Sequence, residues 1–223
     1  MIFFVSVGVL DPRKKPILRG YLHQFMFFVA LGAFLTKLID FRHLRGLGAF
    51  FVYMFCTLLM FAVSALYHRV NWKSHWWRNF WGRLDHSAIY LMIAGSVTPV
   101  SVIAIEGSSG IRLLVIVWIV SLLGIINSFL FYNLPKIVHS LIYISAGYLV
   151  SPYIQEVAKA MGTANCVLII LGGVFYTLGG ICYGLKRPKL LPHIFGYHEI
   201  FHLFVNLGAS IHFFAIISLF DQA

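Results

Sequence analysis

The chain has 223 residues, 60% of them apolar and only 11% charged, against roughly 45–50% and 25% for a soluble domain. So few charges cannot cover a soluble globule of this length, which excludes a cytosolic enzyme, a nucleic-acid binder and a disordered regulator and leaves a polytopic membrane protein. The net charge of +10 then reads as basic residues that set topology outside the lipid, not as a nucleic-acid footprint.

In chain order, Met1–Leu10 is apolar but too short to span, and basic residues follow it rather than precede it. No secretory signal is read there; the segment either lies at the interface or begins upstream of Met1. Residues 1–19 form a short basic segment, and the whole chain, 1–223, reads as a single membrane domain. Seven apolar stretches reach spanning length: 20–38, 47–68, 84–104, 111–132, 136–154, 164–184 and 194–220. A helix needs about 20 residues to cross about 30 Å of hydrocarbon. The fifth is the weakest, with Pro152 near its end and Ser, Tyr and His scattered through it. Pro99 in the third predicts a kink or a break in the hydrogen-bond ladder. Gly173, Gly180 and Gly184 are spaced for close helix packing within one bundle. Cys56, Cys166 and Cys182 lie in apolar runs without a C-x-x-C pairing and read as packing residues.

Short loops make the bundle antiparallel throughout, so the Lys and Arg residues divide between two faces. The N-terminal segment and the second, fourth and sixth loops carry twelve, and the other face carries five. The fold expected is therefore an all-α, seven-transmembrane helix bundle with the N-terminus cytoplasmic and the C-terminus outside.

Ionisable residues inside such a bundle are costly in lipid and are functional candidates. His68 ends the second span and Asp85 opens the third, while His198 and His202 stand in the first turns of the seventh. Antiparallel succession brings all four to one face at similar depth. His198 and His202 are four residues apart and share a helix face, the spacing with which two imidazoles hold one metal ion. His68 offers a third nitrogen. Three protein ligands with a water in the fourth place is the arrangement of catalytic zinc. Asp85 is placed to order that water, take its proton or orient a histidine. Ser64, one turn before His68, is placed to hydrogen-bond the site or a substrate carbonyl. His86 is a second-choice ligand, and His139 lies near the same face; His43 and His212 fall toward the other.

His198-Glu199-Ile200-Phe201-His202 is also an H-E-x-x-H string, in which a zinc protease uses the glutamate as general base. It does not account for Ser64-x-x-x-His68 or for Asp85. Taken together, Ser64-x-x-x-His68, Leu84-Asp85-x-Ser87-x-Ile89 and His198-x-x-x-His202 resemble the three signature motifs of the haemolysin III family, within the progestin and adiponectin receptor superfamily and more distantly similar to alkaline ceramidases. Ala94-Gly95-Ser96-Val97-Thr98-Pro99 and Gly196-Tyr197-His198-Glu199-Ile200-Phe201-His202 extend the match.

The resemblance implies seven helices around a zinc ion bound by His68, His198 and His202, with Asp85 acting through a bound water and Ser64 beside it. It implies a multi-pass protein of the cell membrane, of bacterial inner-membrane type, whose partners are membrane lipids. The activity expected is hydrolysis of a lipid amide or ester entering from the bilayer. The alternatives are a receptor or regulator with a structural zinc, a cytolytic pore-forming haemolysin, and an intramembrane metalloprotease.

Overall fold

Seven α-helices follow one another in the computed structural model, which describes residues 16–41, 46–105, 107–191 and 193–221. They are α1 Tyr21–Phe41, α2 Leu47–Arg69, α3 His75–Pro99, α4 Gly107–Leu130, α5 Lys136–Gly147, α6 Ile154–Leu185 and α7 Tyr197–Asp221. The expectations for Met1–Leu10, Arg13, Lys14, Lys15, Arg42, His43 and Arg45 lie outside the described residues.

Among the described residues, six helical stretches are long and apolar enough to cross a membrane. This departs from the seven expected, because the fifth and sixth fall within one continuous stretch, Lys136–Leu185. α5 is only 12 residues long. A 3-10 segment, Tyr148–Tyr153, carries Pro152 and leads directly into α6. Pro152 has no N–H to donate, so a regular α-helical ladder does not run through it. α6 is itself interrupted at Gly162, where φ is +79°. The stretch returns to the face where it began: the Lys136 ammonium lies 4.5 Å from the Tyr183 ring centroid, and a Cβ on Gly184 would meet Ile137 at 2.8 Å. Gly180 likewise faces Ile144, so both glycines serve packing inside the chain, whereas Gly173 faces open space.

α3 begins nine residues before the expected start of the third span. Its first turns carry Trp76 and Trp77, 63% and 50% exposed, together with Arg78 and Arg83. Such residues are helical but interfacial, with aromatic bodies and charged tips at the edge of the apolar layer. A search for apolar runs finds the lipid-crossing part of a helix and misses this extension. Asp85 therefore stands in the third turn of α3, not at its opening. The disruption expected at Pro99 is a π-helical turn, Val100–Ala104, directly after it.

Gly95 sets the distance between α2 and α3. A Cβ there would lie 2.4 Å from the Cys56 Cβ, an atom fixed to its own backbone. These two helices carry Ser64, His68 and Asp85, so their close approach brings the site together. Gly95→Ala should force them apart and lower stability by about 1–3 kcal/mol, read as a fall in the unfolding midpoint in detergent.

Candidate metal centre

The N-terminus of α7 is built by Glu199. Its carboxylate accepts the Gly196 N–H at 2.8 Å, the third-residue half of a capping box that satisfies a donor otherwise orphaned at the helix start. The same carboxylate pairs with Arg19 and is 1% exposed. Ile17 N–H donates to the His193 carbonyl at 3.0 Å, and Leu18 N–H to Ile194. Residues 17–20 are thereby laid across the end of α2. A Cβ on Gly20 would lie 2.7 Å from the His68 Cβ, and its φ is +83°, so both space and conformation call for glycine.

Within this frame, α7 presents His198 and His202 toward His68, the penultimate residue of α2. The His198 and His68 Nε2 atoms are 3.1 Å apart. The His198 and His202 ring centroids are separated by 4.7 Å and those of His68 and His202 by 5.1 Å. All three residues are buried, and each offers a ring nitrogen within 4.8 Å of the others. A tetrahedral ion with metal–nitrogen bonds of about 2.0–2.1 Å separates its ligand atoms by roughly 3.3 Å, so the His68–His198 spacing already suits one centre. Neutral imidazole nitrogens are ordinary donors to zinc and its neighbours. The donor set therefore fits a divalent metal ion.

Asp85 Oδ2 lies 3.5 Å from that same His68 Nε2, beyond hydrogen-bond length but within reach of a ligand held by the three imidazoles. Ser64 is 2% exposed. It lines, with Asp85, His198 and His202, a cavity of about 310 Å³. Beyond the histidines the walls turn apolar, with Met92, Val97, Ile169 and Ile216 among them. His212 stands along this cavity ten residues past His202, its Nε2 2.9 Å from the Ile169 carbonyl oxygen.

The structure thus brings together all five residues that sequence spacing singled out. It separates Glu199 from them in role: a carboxylate committed to Arg19 and the Gly196 N–H is not free to act as the base of an H-E-x-x-H protease. Glu199→Gln keeps an acceptor for the cap and removes the charge facing Arg19. It should cost about 2 kcal/mol of stability and leave metal content per protein unchanged, read by thermal unfolding and elemental analysis.

Three histidines surround the centre; the sequence reading placed His86 and His139 near this face and gave His23 no role. His23, in the first turn of α1, stacks on His202. His86 Nδ1 is 2.8 Å from the Tyr143 hydroxyl, and its ring lies 4.8 Å from that of buried His139. His23 shares the depth of His68 and His198 in an antiparallel bundle, and that was the available signal. Which way the side chains point around each helix was not legible.

A helical membrane protein with a buried three-histidine centre at one face, next to a carboxylate and a long apolar cavity, is the class that these features define. The chain belongs to the haemolysin-III related family, whose pattern it matches over residues 12–213. This family lies within the broader progestin and adiponectin receptor superfamily. The chain is 31% identical over 169 residues to "Hemolysin-3 homolog" of Bacillus subtilis (strain 168), covering 76% of each chain. It is 32% identical to "Hemolysin-3" of Bacillus cereus over 76% of this chain and 74% of the other. A human relative, "Monocyte to macrophage differentiation factor", is 29% identical over 70% of this chain and 64% of that protein.

Proposed function

We propose that the protein is a zinc-dependent intramembrane hydrolase of a lipid amide or ester. The observation that carries this reading is the convergence of three buried imidazoles, with the Asp85 carboxylate 3.5 Å from His68 Nε2, on an apolar cavity of about 310 Å³. That volume is at the lower end of small-molecule sites, about 300–1,000 Å³. His68, His198 and His202 would hold the ion. When bound, zinc polarises a carbonyl and lowers the pKa of water from 15.7 toward about 7. Asp85 accepts the proton of the attacking water and returns it to the leaving nitrogen or oxygen. The Ser64 hydroxyl donates to the scissile carbonyl oxygen. The apolar walls hold the chain and exclude bulk water.

The same proposal includes topology. The chain crosses the bilayer seven times, with α5 plus its 3-10 extension as the fifth crossing; together they rise about 30 Å. The basic face, with the site, is cytoplasmic.

A structural zinc is the second reading. Away from the histidines α2 and α7 meet at Phe50 and Phe220, with ring centroids 5.5 Å apart, and an ion shared by His68, His198 and His202 would tie their other ends together. Purified protein, zinc-loaded or chelated, is incubated with ceramides and with N-acyl ethanolamines, and free fatty acid is measured. Metal-dependent release supports the hydrolase. A stoichiometric zinc content without release from any lipid amide or ester supports the structural reading. Dye leakage from vesicles that persists after loss of all three histidines would instead support a pore, one route to the haemolysis in the names of the bacillar relatives.

A further inference from the structure

Four imidazoles meet where a three-ligand site uses three. His23 is 2% exposed. Its ring lies against that of His202 with centroids 3.8 Å apart and planes inclined by 2°. Phe61 closes its edge at 5.3 Å and 70°. Neither His23 nitrogen has a hydrogen-bond partner, although buried polar groups almost always find one. An imidazole offers its lone pair in the plane of the ring. Two parallel, stacked rings send their lone pairs along separate planes, so both cannot aim at one ion. His23 is accordingly absent from the set of nitrogens within 4.8 Å of one another.

What His23 presents to His202 is a ring face. A cation bound by His202 withdraws electron density from that ring, and a neutral π-face stacked on it is attracted by the electrostatics that hold a cation over an aromatic ring. The stack also restricts rotation of the His202 side chain, the function that outer-shell hydrogen bonds serve for most metal-bound histidines. We infer that His23 is a positioning residue: its stacked face fixes His202 and strengthens retention of the divalent ion without ligating it. The inference rests on the three histidines being a metal site and is independent of hydrolysis.

The test uses the full chain purified in detergent. Zinc affinity is measured against a chromophoric chelator, and the cobalt(II)-substituted protein gives a ligand-field spectrum that reports ligand geometry. His198→Ala serves as the ligand-loss control. His23→Ala should weaken zinc binding about 10–100-fold, the range for outer-shell partners, and shift the cobalt spectrum. His23→Phe, which keeps the face and discards the nitrogens, should stay within about threefold of the parent with an unshifted spectrum. His23→Leu, of similar bulk without a π-face, should resemble His23→Ala.

Parental affinity in His23→Ala would overturn the assignment. So would a loss in His23→Phe equal to that in His23→Ala, because the nitrogens would then be what matters. Equal behaviour of His23→Leu and His23→Phe would reduce the role to packing and overturn it too; that pair decides the question if the alanine variant does not fold. A parent that binds zinc no better than His198→Ala would instead remove the metal reading itself.

Discussion

His198→Ala is expected to strip the centre of its metal. Structural zinc binding is worth about 10–16 kcal/mol over a full ligand set, so each ligand contributes roughly 3 kcal/mol, or about two orders of magnitude in affinity. His198 provides the Nε2 that faces His68 at 3.1 Å, and neither His68 nor His202 can replace it, because each already supplies its own nitrogen to the same three-imidazole set. Zinc per protein after dialysis against a weak chelator should fall from near one to near zero. The unfolding midpoint of the loaded protein should fall with it, because an ion that binds only the folded state stabilises that state by mass action. Retention of stoichiometric zinc by this variant would show that the ion is held elsewhere.

Asp85→Asn separates chemistry from metal binding. The amide is nearly the same size as the carboxylate and can still hydrogen-bond, but it cannot accept a proton at neutral pH. Asp85 Oδ2 is 3.5 Å from His68 Nε2, so this substitution leaves the three imidazoles in place. Zinc content should remain near one per protein, with lipid-amide turnover reduced by about 10²–10⁴-fold, the contribution of a positioned general base. Glu199→Gln is the matched control. It lies beside His198 in the chain but faces Arg19 and the Gly196 N–H, so its turnover per folded molecule should match the parent. If the two variants lose activity equally, the H-E-x-x-H reading returns.

Comparing these two carboxylates shows what spacing conveys and what it omits. Glu199 is adjacent in sequence to a ligand and belongs to a recognisable catalytic string, yet its role is to cap α7 and hold the N-terminal segment. Asp85 is over a hundred residues from His198 and converges on it. Helical periodicity states that residues 198 and 202 share a face, but not which neighbour that face meets. Asp85 is legible because a charge in an apolar run is conspicuous at any distance. His23 is not, because a histidine at a span's start is unremarkable until its neighbour is known.

The amino-acid order by itself determined that this is a helical membrane protein, where most of its helices lie and which five polar residues share one face. Those follow from free energies local to each segment: the cost of burying charge in hydrocarbon and the 3.6-residue repeat. Tertiary structure alone decided the interfacial start of α3, the joining of α5 to α6, the commitment of Glu199 to Arg19 and the stacking of His23 on His202. Each depends on how helices rotate and approach one another. That is set by contacts such as Gly95 against Cys56 and Gly20 against His68, between residues too far apart in the chain for any local pattern to register.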